Sequence, residues 1–83
     1  MIELNKATEG SEEVKEALID QFEYHPWDDE KKAKGKRVRE ALENASLVII
    51  ENVPPGPDRS VALRKLREAR MDANSAITHN GKY

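Results

Sequence analysis

The chain has 83 residues, with 37% hydrophobic and 36% charged side chains and a formal net charge of −2. It is therefore one domain at most, and the absence of cysteine excludes disulfides and thiolate metal sites. A single core of this size rarely supplies more than about 3–5 kcal/mol, so small chains usually need a further source of stability, and we expect self-association to provide it.

The apolar runs and the overall charge limit where the protein can be located and what it can bind. The longest apolar run, Leu47–Ile50, is far shorter than the roughly 20 residues that cross a bilayer, and the N-terminus has no signal-peptide pattern. We therefore expect a cytoplasmic protein with no membrane partner. The pI of about 5.7 disfavours duplex nucleic acid as a partner. Residues 31–83 nevertheless hold twelve basic and six acidic side chains, which leaves room for a compact anion.

The first third of the chain predicts a short helix. Residues 1–10 read as a flexible leader, followed by a single helical domain over residues 11–83. Ser11 resembles an N-cap with acids in the first turn behind it, which predicts a helix over about 12–22. Pro26 ends that element, because the residue before a proline avoids the α region.

Two longer helices follow. Asp28 or Asp29 can cap a helix over about 29–52, although Gly35 weakens its first half. Gly56 and Pro57 suit the N-cap and first position of a helix over about 57–79, and Gly81 suits a left-handed C-terminal cap. The expected apolar positions of the first of these helices are Val38, Ala41, Leu42, Ala45, Val48, Ile49 and Asn52-Val53. These patterns predict an all-α fold, a short N-terminal helix followed by a long antiparallel helical hairpin.

Most aromatic side chains lie in one segment, residues 22–27. An aromatic cluster at a helix-breaking turn suits stacking on a planar base. The alternative is that Phe22 and Trp27 close the open end of the hairpin. We favour that alternative for Phe22, leave both open for Trp27, and assign Tyr24 to ligand binding because it offers a flat ring and a hydroxyl group.

A basic run occupies residues 31–39, with six basic side chains in nine residues. At 100° per residue, Lys32, Lys36 and Arg39 share one helix face. Such runs are usually solvated faces. In the functional interpretation, one or two of these cations meet a phosphate near Tyr24, since an arginine fork matches a phosphodiester.

Residues for catalysis are scarce. His25 could be a general base or a metal ligand, but a turn histidine bonded to backbone is the commoner case. His79 could cap the last helix or line a second site. The chain has no Gly-rich phosphate loop, zinc spacing or paired-carboxylate pattern. We therefore predict no catalytic residue, no metal and no cofactor.

The order of several short motifs resembles a known family. Phe22-x-Tyr24-His25-Pro26 lies ahead of Arg39, and further motifs follow it with matching gaps. Over about residues 17–80 this order resembles the phage anti-CBASS cyclic-nucleotide sponges, whose helical hairpin is shared with some anti-Thoeris sponges. The later motifs are Glu51-Asn52-Val53-Pro54-Pro55, Ser60-Val61-Ala62-Leu63, Met71-x-Ala73-Asn74 and Ile77-x-x-Asn80.

The resemblance implies a hexamer built as a trimer of dimers, with pockets between protomers. One kind of pocket would hold cyclic dinucleotides such as cyclic GMP–AMP, with Tyr24 stacked on a base and Arg39 at the phosphates. His25 and Lys36 lie beside them in the expected site. Some members have separate pockets for cyclic trinucleotides, and the candidates for these are Asn74, Thr78 and His79.

Four functions remain in competition. The first is a phage counter-defence protein that sequesters cyclic oligonucleotides in the host cytoplasm and so blocks CBASS effectors. The second is the same kind of sponge for the cyclic ADP-ribose-type signal of Thoeris. The third is a hydrolase of these signals, and the fourth is a helical module that uses residues 31–39 on an acidic protein or nucleic acid.

Overall fold

The computed structural model describes residues 11–83. This part of the chain forms three α-helices and no strand: α1 (Ser11–Phe22), α2 (Asp29–Asn52) and α3 (Pro57–Thr78). Helices α2 and α3 pack against each other as an antiparallel hairpin, with the start of α2 beside the end of α3. The all-α prediction is confirmed, while the leader expected at residues 1–10 lies outside the described residues.

Local signals set the starts of both hairpin helices. The Asp28 carboxylate accepts a hydrogen bond of 2.8 Å from the backbone N–H of Lys31, so Asp28 rather than Asp29 is the N-cap of α2. Such a cap contributes roughly 1 kcal/mol. Helix α3 starts with Pro57 behind the N-cap Gly56. Proline fits there because its missing N–H would have no intrahelical partner.

The end of α3 differs from the prediction by one residue. The helix stops at Thr78 and His79 is the C-cap, followed by Asn80 (φ 55°) and Gly81 (φ 75°). The N–H of Gly81 donates to the carbonyl of Ala76 over 2.9 Å, the long bond of a Schellman motif. Asn80, not Gly81, therefore takes the left-handed C′ position, and the turn directs the last residues back towards α1.

Gly35, which was expected only to weaken α2, has a packing role in the structure. It is the one buried residue of residues 11–83, because the indole ring of Trp27 lies on it. A Cβ added there would lie 2.2 Å from Cζ3 of Trp27 and 2.6 Å from Cη2. Glycine in a helix costs about 1 kcal/mol in helix propensity. At position 35 it also lets the indole ring of Trp27 lie directly on the helix backbone.

The hairpin interface is thin. Of the apolar stripe expected on α2, four residues are half-buried: Val38, Leu42, Ala45 and Ile49. Ala41, Val48 and Asn52-Val53 are exposed, and Val53 is the C-cap that follows the helix. The described chain measures 54 × 36 × 16 Å, and α2 with α3 is the one helix pair in it that is in extensive contact. The faces of the hairpin that point away from this interface therefore have little cover from the rest of residues 11–83.

Large apolar side chains are correspondingly exposed. Within residues 11–83 no apolar side chain is buried. Phe22 is 87% exposed, so it does not close the hairpin end in the single chain. Among residues 11–83, none of the three helices combines the length and the hydropathy that a bilayer-spanning segment needs. The other exposed residues on α1 and the second half of α2 include Val14, Leu18, Ile19, Leu47, Val48 and Ile50.

Candidate functional site

A basic groove runs between α2 and α3 beside the Trp27 ring. Its volume is about 210 Å³. Four of its seven lining residues are cationic and none is acidic. The lining residues are Trp27, Lys32, Gly35, Lys36, Arg39, Arg70 and Asn74.

Trp27 is held in place at one end of this groove. Its indole Nε1–H donates a hydrogen bond of 2.7 Å to the hydroxyl of Thr78, while the ring face rests on Gly35. The connection before α2 is thereby fixed to the end of α3. Of the two interpretations left open for Trp27, closure of the hairpin end is therefore observed, and the same ring also lines the groove.

The α2 cations separate into two sets. Lys32, Lys36 and Arg39 share the face predicted from the helix period, and all three line the groove. Two other members of the basic run are engaged elsewhere. Lys31 Nζ donates to the carbonyl of Thr78 over 3.1 Å, and Lys34 Nζ lies 2.9 Å from Glu30 Oε1.

Helix α3 contributes cations that were not among the predicted site residues. Arg70 lines the basic groove and also a neighbouring groove of about 240 Å³ that it shares with Arg39 and Arg67. The two grooves therefore adjoin along the hairpin, and the second one also has an acid, Glu43, in its lining. The signal in the sequence was the spacing of Arg67, Arg70 and Asn74, which places them on one face of α3.

The remaining predicted residues do not meet in this groove. Tyr24 is 87% exposed in the connection between α1 and α2 and is absent from the lining of the groove. Asn74, expected in a trinucleotide site, lines the groove with Lys36 and Arg39. His25 and His79, assigned to different sites, instead lie together in a second cluster.

That second cluster forms around Asp20. Nε2 of His25 lies 3.3 Å from Asp20 Oδ1, and Nδ1 of His79 lies 3.6 Å from Asp20 Oδ2. Nε2 of His25 also donates to the backbone carbonyl of Asp20 over 2.6 Å, the backbone bond expected of a turn histidine. The two imidazole rings pack edge to face with centroids 4.9 Å apart.

Tyr83 completes this cluster. Its hydroxyl donates a hydrogen bond of 2.7 Å to Asp20 Oδ2. This bond, helped by the nearby charges of His25, Lys82 and His79, lowers the pKa of Asp20 below its ordinary value, although burial opposes the shift. The same bond raises the pKa of Tyr83 above its ordinary value, with burial and the Asp20 charge adding to the effect. The cluster joins α1 to the turn that follows α3.

Comparison with known proteins identifies the family. No curated protein and no solved structure matches the chain. The family model described as "Acb2/Tad1, hairpin domain" matches residues 15–78, which include α2, α3 and most of α1. Proteins of this family are phage sponges that bind cyclic nucleotide signals without cleaving them. The match covers well over half of the 83 residues, so the chain belongs to the Acb2/Tad1 hairpin-domain family.

Proposed function

We propose that this protein sequesters cyclic oligonucleotide second messengers, cyclic dinucleotides such as cyclic GMP–AMP above all, in the host cytoplasm during phage infection. CBASS effectors would then lack their activating signal, and the ligand would stay intact. The observation that carries the proposal is the groove between α2 and α3, which combines four cations, an aromatic ring and no carboxylate.

The chemistry of the groove suits a cyclic dinucleotide. Such a ring carries two phosphodiesters, each with one negative charge and two free oxygens. Arg39 and Arg70, from opposite helices, can each present a two-pronged fork to a phosphodiester. Lys32 and Lys36 add positive charge, and their ammonium groups can contact a phosphate from more directions than a planar guanidinium can. The ring of Trp27 offers an apolar surface next to this charge.

The groove of one chain is smaller than a complete ligand site. Pockets for ligands of drug size have volumes of about 300–1,000 Å³, compared with about 210 Å³ here. Tyr24, on the outside and 87% exposed, is available to a ligand held mainly by another copy. Nanomolar affinity requires about −12 kcal/mol, and one base stack supplies only about 1–3 kcal/mol. A site enclosed by two chains is therefore part of the proposal.

The open apolar faces support such an assembly. Leu18, Phe22 and Ile50 are 48%, 87% and 49% exposed, so full burial would contribute roughly 1.5–3 kcal/mol for Phe22 and about half of that for each of the other two. We therefore propose a homo-oligomer, a hexamer as in the sponges that the chain resembles, with these faces between protomers. Light scattering at several chain concentrations measures the assembly, and a monomer at all of them contradicts it.

The three residues expected in a trinucleotide site, Asn74, Thr78 and His79, have different surroundings in the single chain. Asn74 faces the same groove as Arg39 and Arg70, so we propose that it contacts whichever ring occupies the groove. Thr78 and His79 are engaged within the chain, by Trp27 and by Asp20. A trinucleotide site that uses both would have to share or displace those contacts.

Calorimetry with cyclic GMP–AMP tests the site. Arg39→Ala, Arg70→Ala and Tyr24→Ala should each weaken binding at least about tenfold, because a charge-assisted hydrogen bond or a base stack contributes about 1–3 kcal/mol. Arg64→Ala is the matched control, because it removes the same charge from α3 outside the grooves. Unchanged affinity in all three groove and tyrosine variants would remove the site assignment.

A ligand screen separates the competing functions. Thermal shifts with cyclic dinucleotides, cyclic trinucleotides and cyclic ADP-ribose-type signals rank the ligands and distinguish a CBASS sponge from a Thoeris sponge. Heat denaturation of the complex should then release intact ligand, whereas a split product indicates a hydrolase. Salt-sensitive binding to duplex DNA, with no response to any cyclic nucleotide, would favour the helical interaction module.

A further inference from the structure

The cluster around Asp20 has the composition of a metal site. It joins two imidazole nitrogens and a carboxylate oxygen from three places in the chain: the end of α1, the α1–α2 connection and the C-cap of α3. One ligand atom from each residue can be chosen so that all lie within 4.8 Å of one another. These are the only two histidines of the chain, and the fold places both on one carboxylate.

The separation of each imidazole nitrogen from the carboxylate is close to that between two ligand atoms of a tetrahedral ion. Zinc bonds of about 2.0–2.1 Å place neighbouring ligand atoms of a tetrahedron about 3.3–3.5 Å apart. Nε2 of His25 is 3.3 Å from one Asp20 oxygen, and Nδ1 of His79 is 3.6 Å from the other. The two rings therefore approach different oxygens of the same carboxylate, and each ligand atom lies within 4.8 Å of the others.

The surroundings suit a three-ligand site with an open position. The side chain of His79 is 7% exposed, while those of His25 and Asp20 are 31% and 35% exposed, so the site is sheltered and still accessible to a small ion. Tyr83 donates to Asp20 Oδ2 and would orient the carboxylate from outside the coordination shell, as such partners do in metal sites. Lys82 Nζ, 3.9 Å from that oxygen, belongs to a side chain that is 66% exposed and can turn into solvent.

One existing bond must give way. Nε2 of His25 donates to the Asp20 carbonyl over 2.6 Å, and a metal needs the lone pair of a neutral imidazole nitrogen. The proton on Nε2 must therefore move to Nδ1 or leave to solvent when an ion binds. A hydrogen-bonded network with no ion is the competing interpretation of the same geometry.

We infer that Asp20, His25 and His79 form a binding site for one divalent transition-metal ion of the zinc class. Two imidazoles and one carboxylate favour such ions over Mg²⁺ or Ca²⁺, which prefer oxygen ligands alone. The bound ion would clamp α1 onto the C-terminal end of the hairpin. The site is separate from the basic groove and does not depend on the proposed function.

Zinc calorimetry on the full chain, without a histidine tag and after dialysis against a chelator, tests the inference. We expect one Zn²⁺ per chain, an ion-dependent rise in melting temperature and little response to Mg²⁺. Asp20→Asn and His79→Gln should each weaken Zn²⁺ binding at least about tenfold. Glu23→Gln is the control, since it removes a nearby exposed acid outside the cluster.

The variants remain interpretable if one of them folds poorly. Asp20→Asn keeps an acceptor for the Tyr83 hydroxyl, and circular dichroism checks the helix content of each variant. Visible absorption of the Co²⁺-loaded chain gives a second readout of tetrahedral nitrogen and oxygen ligands. Absence of Zn²⁺ binding, or equal binding by the wild type and by Asp20→Asn, overturns the inference. Binding of cyclic GMP–AMP is measured in the metal-free chain, so the two proposals fail independently.

Discussion

Replacing Gly35 with alanine separates packing from helix propensity. By propensity alone, Gly35→Ala should stabilise α2 by about 1 kcal/mol. The new Cβ, however, would lie 2.2 Å from Cζ3 of Trp27, and the rigid indole cannot move without straining its 2.7 Å bond to Thr78. Overpacking of this kind costs about 1–3 kcal/mol, and loss of the hydrogen bond costs about 0.5–1.5 kcal/mol more. We expect a net destabilisation of about 0.5–3.5 kcal/mol.

A double-mutant cycle gives the sharper result. In a Trp27→Ala background the clash is absent, so Gly35→Ala should stabilise the chain by about 1 kcal/mol, and the sign of the effect should reverse. Urea denaturation followed by circular dichroism measures all four chains, at one fixed chain concentration because an oligomer's stability depends on concentration. Trp27 is the only tryptophan, so its fluorescence reports whether the ring leaves Gly35. Stabilisation of the otherwise wild-type chain by Gly35→Ala would refute the packing argument.

Two further predictions concern the end of α3. Asn80 has a φ of 55°, a backbone conformation that is unfavourable for alanine, so Asn80→Ala should lower the free energy of unfolding by about 1–2 kcal/mol. Asn80→Gly should leave it nearly unchanged, and urea denaturation measures both variants. Equal losses of stability in the two variants would contradict the role of the turn. In a metal-free Tyr24→Phe chain, ultraviolet titration should show the pKa of Tyr83 above its ordinary 10.0, because its proton is held by Asp20. Asp20→Asn should bring that pKa back down. The bond's contribution to stability is therefore complete between the ordinary pKa of Asp20, 3.8, and that of Tyr83, 10.0. It is lost as the pH rises through the raised pKa of Tyr83 or falls through the lowered pKa of Asp20. A midpoint unaffected by Asp20→Asn would show that the bond does not persist in solution.

The helices were predictable because their signals are local. Asp28 at an N-cap, Pro57 at a first helical position and apolar residues three and four apart act within one or two turns of chain. The face shared by Lys32, Lys36 and Arg39 follows from the helix period and needs no partner helix. The family resemblance, confirmed over residues 15–78, also depends on the order of residues along the chain.

The contacts that the sequence could not predict depend on the register between α2 and α3 and on the turn after α3. Trp27 meets Thr78, 51 residues away, only because α2 and α3 align at that end, and this contact turns Gly35 from a weak point into a packing position. Arg70 joins Arg39 through the same alignment. The left-handed turn at Asn80 brings Tyr83 to Asp20, 63 residues away. Contacts over such separations depend on how whole helices pack, which the local preferences of neighbouring residues do not specify, so only the tertiary structure decided which polar groups meet.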